Sequence, residues 1–242
     1  FTSILEWCKK KSYRFITLQE CYAILSGKIR QEGKVAYLSF DDGWQSNLNL
    51  IPIIDKYQAP ITIFVSIDPL LSGNFWWEYA LADGIELRNK MKLMSYKKFV
   101  SSLESLKKKY SLERSVLTEQ ELVKIASHPL VSIQSHTMSH PILTNCDDEI
   151  LSYELNSSKA YLENLLHHKI EAFSYPNGNF SNREIEAVKK AGYKMAFTTE
   201  YIPIQINHTN LYRIPRMAMN TYGGYYENLS KILGIWQDIL KK

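Results

Sequence analysis

Short apolar runs alternate with stretches of helical spacing along most of this chain. Val35-Ala36-Tyr37-Leu38-Ser39-Phe40 predicts a strand that ends on two acids, Asp41-Asp42. Asn47 to Tyr57 predicts a helix, and the β-branched run Ile61-Thr62-Ile63-Phe64-Val65 the next strand. Residues 68–82, with Pro69, Gly73 and Phe75-Trp76-Trp77, read as irregular. Helical spacing returns over 95–110, where Phe99, Val100, Leu103, Leu106 and Tyr110 share a face. Thr118-Glu119-Gln120-Glu121 is a capping box that opens a helix reaching about Ser127. Then come a strand over Val131–Ser135, a helix over 147–167 and a strand from Ile170 to Ser174. A helix over 182–191 is stopped by Gly192, and Tyr193 to Thr198 reads as a strand. Tyr212 to Met219 is expected to be extended, and 225–240 a closing helix.

Strands that recur with helices between them predict an α/β fold around a parallel sheet. In a (β/α) barrel, chemistry gathers at the C-terminal ends of the strands. Asp41-Asp42, His136 to His140 and Tyr175-Pro176-Asn177 all fall just past a predicted strand end. Residues 1–34 and about 70–127 are expected to decorate this core. The whole of 1–242 is expected to form a single catalytic domain, with its motif-bearing part over about 35–219.

Composition narrows the function classes. A chain of 242 residues, 45% hydrophobic and 22% charged, can bury a full core. The charge of +4 is not gathered into a long basic run. Lys9-Lys10-Lys11 and Lys107-Lys108-Lys109 read as solvated helix faces, so no nucleic-acid partner is expected. Cys8, Cys21 and Cys146 are odd in number and form no CxxC, which argues against a disulfide framework or a thiolate zinc site. No apolar stretch reaches transmembrane length and no signal peptide opens the chain, which starts at Phe1 and reads as a processed or trimmed piece.

Two adjacent carboxylates at a strand end can point in different directions, so that one ligates a cation while its neighbour holds a water. Taken alone, Asp41-Asp42-Gly43 is equally an Asp-Gly turn. His136 and His140, four apart and followed by Pro141, can converge two rings on one ion from a loop or a single turn. There is no HExxH, so a zincin protease is not indicated. Pro176 and Gly178 bracket a turn able to aim a backbone N–H at a developing oxyanion.

Ser39-Phe40-Asp41-Asp42-Gly43, His136-Thr137-Met138-Ser139-His140 and Phe173-Ser174-Tyr175-Pro176-Asn177-Gly178 together resemble the first three motifs of the polysaccharide deacetylases, carbohydrate esterase family four. The likeness spans about residues 35–219. It implies a distorted (β/α) barrel of about seven strands, with N-terminal and mid-chain helical decorations. It also implies deacetylation of glycans with zinc or another divalent metal. By the same resemblance Asp41 is the general base, and Asp42, His136 and His140 are the metal ligands. The Asn177 backbone N–H is the oxyanion donor. The chain departs from the pattern at Ser174, where many members carry an Arg that steadies the base. Arg216 resembles a late Arg of an exopolysaccharide-modifying branch and is expected to restrain Asp41 instead. The late Leu-x-His that supplies a general acid in many members is missing, which leaves His208 as a weak candidate. Tyr175, Pro176, Trp76 and Trp77 are expected to contact substrate, Trp76 and Trp77 against the alternative of a buried aromatic cluster.

The expected activity is metal-dependent removal of N-acetyl groups from amino sugars of a bacterial surface glycan, glycolipid or precursor, in the cell envelope or the cytoplasm. Two other readings stand beside it: a glycan-binding member without turnover, and a small-molecule amidase or esterase.

Overall fold

The computed structural model describes residues 1–202, 204, 206, 209–219 and 223–234. Six strands form one all-parallel sheet in sequence order: β1 (Tyr13–Ile16), β2 (Lys34–Phe40), β3 (Ile61–Val65), β4 (Val131–Ser135), β5 (Ala172–Ser174) and β6 (Met195–Phe197). The sheet curls into a half-barrel with helices on its outer face. Past β6, Ile214 bridges Phe197 in parallel without forming a further strand. The count among the described residues is therefore six, against the expected seven or so.

Residues alternate cleanly across this sheet, as the pleat requires. Ile61, Ile63 and Val65 of β3, Ile133 of β4 and Phe173 of β5 belong to the large outer core. That core packs beneath α3 (Ile51–Tyr57), α8 (Glu119–Ala126), α9 (Asp148–Leu166) and α10 (Asn182–Lys190). Phe64, Ala172, Met195 and Phe197 face the bore. There they meet Leu18, Cys21, Ile24 and Leu25 of α2 (Leu18–Leu25), a helix opened by the Thr17/Glu20 capping box. So α2 fills the barrel interior with apolar side chains, and the polar chemistry is left to the opposite, C-terminal end of the strands.

This changes the part assigned to residues 1–34. They supply β1, paired to β2 from Tyr13↔Lys34 to Ile16↔Tyr37, and the α2 plug. A four-residue strand and a short helix carry too little periodicity to be recognised without their partners. The segment 68–82 is also more regular than expected. It holds α4 (Ile67–Ser72), where Pro69 sits in the first turn and Gly73 closes the helix at φ 98°. After it comes α5 (Trp76–Asp83), in which the Glu78 carboxylate takes the Phe75 N–H at 2.7 Å. Two more helices, α6 (Ile85–Met91) and α7 (Tyr96–Lys109), pack against α5 around Trp76, Met91, Phe99 and Leu106. The predicted helix over 47–57 is a 3₁₀ turn, Gln45–Leu50, running into α3. Of the predicted helix 225–240, α1 (Thr2–Lys10) contacts the described part, α11 (Tyr225–Ile232), and 235–240 lie outside the described residues. No described helix is long and apolar enough to cross a membrane.

Candidate active site

The ends of β2 and β4 bring together the residues that the sequence reading singled out as metal ligands. Asp42 Oδ1 lies 3.6 Å from His136 Nε2 and 3.4 Å from His140 Nε2. One donor atom from each residue falls within 4.8 Å of the others, and no other such cluster occurs among the described residues. Both histidines are buried, whereas Asp42 is partly exposed.

Backbone geometry aims these groups. Asp42 has φ 80°, Thr137 φ 75° and His140 φ 55°. A positive φ is strained for any side-chain-bearing residue and most of all for a β-branched one. The His136–His140 segment is therefore fixed from several sides. His136 N–H donates to Val65 C=O at 2.9 Å, Ser66 Oγ donates to His136 C=O at 2.6 Å, and Asp68 N–H to Met138 C=O at 2.7 Å. The His140 N–H finds Thr137 Oγ1 at 3.0 Å, and the Trp76 indole donates to His140 C=O at 2.9 Å.

Glu154 on α9 closes this loop from behind, and the sequence reading did not see it. Its carboxylate is fully buried and accepts the N–H groups of Met138 and Ser139, each at 2.9 Å, and Ser139 Oγ at 2.6 Å. Burial pushes the Glu154 carboxyl up, and these hydrogen bonds pull it part of the way back. One signal in the sequence pointed to it. Leu151, Glu154, Leu155, Ser158 and Leu162 share the buried stripe of α9, and a Glu there needs buried donors.

The donor set suits a divalent cation. His136 Nδ1 lies 2.7 Å from Ser174 C=O. A carbonyl only accepts, so Nδ1 carries the hydrogen and Nε2 turns its lone pair toward Asp42. Burial, reinforced by the His140 imidazole, lowers the His136 pKa to about 4 against the pull of Asp41 and Asp42, so the ring is neutral at pH 7. His140 Nδ1 is buried with no hydrogen-bond partner among the described residues. Two imidazoles and one carboxylate match the donor set of a three-ligand hydrolytic metal site.

Asp41 stands beside this set and is held by Arg216. Arg216 Nη1 meets Asp41 Oδ1 at 2.8 Å and Nη2 meets Oδ2 at 2.7 Å, a bidentate pair. The guanidinium also donates to Ser39 Oγ, Ser174 Oγ and Thr198 C=O, and it lies over the rings of Phe64 and Phe197. Ser174 Oγ donates to Asp41 Oδ2 at 3.2 Å. Burial alone raises the Asp41 carboxyl. The Arg216 charge first, then His136 and the hydrogen bonds from Arg216 and Ser174, outweigh burial and hold it well below the usual carboxylate range. The serine in the third motif thus leaves room for an arginine that arrives from residue 216.

The remaining candidates divide. Asn177 is exposed at φ 55°, and its side-chain oxygen accepts from Lys92 Nζ at 3.1 Å. Gly178 follows at φ 73°, where a Cβ would stand 1.9 Å from Thr199 Oγ1, so that turn requires glycine. Tyr175, expected at the substrate, is fully buried, with its hydroxyl donating to Tyr212 C=O and its ring stacked on Phe180. Pro176 is buried too, and Trp76 is only 4% exposed in the α5–α7 core. The side chains of these three residues are used in packing. Trp77 differs: it is partly exposed, stacked on Phe75 at 4.1 Å, with its ring 4.6 Å from that of His140. His208 lies outside the described residues.

The sequence pattern of the family described as polysaccharide deacetylase matches residues 28–196. Among curated proteins, YxkH of Bacillus subtilis (strain 168), whose name assigns it to the polysaccharide deacetylases, is 24% identical over 95% of this chain and 69% of its own length. The poly-beta-1,6-N-acetyl-D-glucosamine N-deacetylase of Staphylococcus aureus is 26% identical over 91% of this chain and 66% of its own. The chain thus spans about two thirds of the length of these relatives. Among solved structures, IcaB from Ammonifex degensii shares the fold with a TM-score of 0.65 and 17% identity, over 97% of this chain and 86% of that one.

Proposed function

The chain belongs to the polysaccharide deacetylase family, and on that premise we propose that it is a metal-dependent N-deacetylase of an N-acetylated surface polysaccharide or its precursor. The observation that carries this reading is the Asp42-His136-His140 cluster with the Arg216-clamped Asp41 beside it. The named activity of the staphylococcal relative supports an N-acetylated amino-sugar polymer as the substrate class. Zinc fits a donor set of two imidazoles and one carboxylate, and other divalent ions fit it too.

Asp42, His136 and His140 would hold a divalent cation, which would supply Lewis acidity toward water and the acetyl carbonyl. Asp41 remains ionised at neutral pH and takes the proton of the attacking water. Its two oxygens are not equivalent. Oδ2 accepts from both Arg216 Nη2 and Ser174 Oγ, whereas Oδ1 accepts from Arg216 Nη1 alone and keeps a lone pair for that proton. Arg216 fixes the plane of the carboxylate, so little reorganisation precedes proton transfer. The backbone N–H of Asn177, on a turn held by Gly178 N–H to Tyr175 C=O at 3.0 Å, is the donor for the oxyanion. The protonated Asp41 then serves as the acid that returns the proton to the leaving amine.

The test is acetate release from a panel of N-acetylhexosamine oligomers after loading the chelated protein with individual divalent metals. The reading expects release that depends on the metal and is lost in Asp41→Asn. Normal release by Asp41→Asn, or by the metal-free protein, contradicts it.

A further inference from the structure

We propose that Trp44 is a positioning residue for the metal site, orienting the Asp42 carboxylate through its indole N–H. The inference rests on the reading of Asp42, His136 and His140 as metal ligands. Trp44 Nε1 donates to Asp42 Oδ2 at 3.0 Å. That bond ties one carboxylate oxygen away from the histidines, and the other, Oδ1, faces both Nε2 atoms. Asp42 thus presents a single ligand atom. A carboxylate free to swing would offer both oxygens and occupy a position needed by water or substrate.

The indole is built into the mid-chain insertion. Its backbone pairs with Val116 in an antiparallel bridge, with Gln45 N–H to Ser115 C=O at 2.8 Å and Leu117 N–H to Gly43 C=O at 3.0 Å. Its ring packs on Phe75 at 4.9 Å and against Trp77 at 6.2 Å. Gly43, at φ 86° and with Val65 methyls 3.2 Å from where a Cβ would sit, sets the close turn that swings Trp44 back over Asp42. The segment read from sequence as decoration therefore reaches the metal site: the strap at 115–117 holds Trp44, and Trp44 holds Asp42.

Trp44→Phe keeps most of the ring packing and removes only the donor. The chelated wild-type and variant proteins are titrated with Zn(II) against a chromophoric chelator, and visible spectra of the Co(II)-loaded proteins are recorded. The variant is expected to bind Zn(II) about 10–100-fold more weakly and to give a changed Co(II) band envelope, because the freed carboxylate alters the ligand geometry. Equal Zn(II) affinity within about twofold together with an unchanged Co(II) envelope overturns the proposal, that margin being far below the usual loss when a hydrogen bond that orients a ligand is removed. Should Trp44→Phe fail to fold, X-ray absorption fine structure on the unaltered zinc-loaded protein decides. One carboxylate oxygen at about 2.0–2.2 Å supports the proposal, and two bound oxygens from the same carboxylate refute it. A wild-type protein that binds neither metal fails the underlying site assignment instead, so the two failures are distinguishable.

Discussion

Replacing Glu154 by Ala tests how the two-histidine loop is held. The carboxylate takes four donors, the Tyr96 hydroxyl at 3.4 Å among them, and deletion strands them unequally. The Met138 N–H is buried and has no water to turn to, while Ser139 is partly exposed and recovers part of its bonding from solvent. At about 1–3 kcal/mol for each buried unsatisfied donor, the net loss comes to about 2–4 kcal/mol. That is a large share of the roughly 5–15 kcal/mol that holds a domain together. Urea unfolding of the chelated protein reads this loss directly. Metal linkage reads the second consequence, because the freed loop no longer fixes His140. With Zn(II) at about 100 times the wild-type Kd, binding adds about 2.7 kcal/mol of stability. A variant with a tenfold weaker site gains only about 1.4 kcal/mol at the same concentration. Glu154→Gln keeps one acceptor oxygen and should fall between wild type and Glu154→Ala in both assays. Wild-type stability and wild-type zinc stabilisation in Glu154→Ala would refute the reasoning.

Arg216→Met should bind Zn(II) like wild type but release acetate about 10²-fold more slowly, since a positioned base contributes about 10²–10⁴; a kcat equal to wild type would show that the clamp on Asp41 is idle. Glu184 gives a pH signature away from the metal. Burial raises its carboxyl, but the Ser181 and Arg183 hydrogen bonds outweigh that and leave it depressed. A depressed carboxyl contributes stability that is present above its unfolded value of about 4.3 and is lost as pH falls through the folded one. Glu184→Gln should therefore flatten the acid side of the stability–pH curve, and parallel curves for the two proteins would count against this. Trp77→Ala should raise KM for oligomers with little change in Zn(II) affinity, and an unchanged KM would place the ring outside the cleft.

The sequence revealed what depends on strand ends and lost what depends on partners. The short apolar runs of β2, β3 and β4 put Asp41, Asp42 and His136 past strand termini, and a parallel sheet places such termini on one rim. Arg216 came from the resemblance, and the sheet explains it: Ile214 bridges to Phe197, which carries residue 216 to the rim beside Ser174. Glu154 and Trp44 carry no motif. One acts on backbone N–H groups from a helix fifteen residues away, and the other through a neighbour two residues back. Tyr175, Pro176 and Trp76 lie buried, which their sequence context did not reveal for a related reason. Aromatic and proline side chains next to a motif suit a cleft and a core equally, and here their hydroxyl, ring and indole partners lie inside.

Zinc stoichiometry on four single variants bears most directly on the shared site. Chelated protein is reloaded with Zn(II), desalted and analysed for metal, as wild type and as Asp41→Asn, Asp42→Asn, His136→Ala and His140→Ala. The arrangement of Asp42 Oδ1 against both Nε2 atoms predicts one zinc retained by wild type and by Asp41→Asn, and little or none by the other three. Zinc kept by the three ligand variants, or lost from Asp41→Asn alone, would contradict the account.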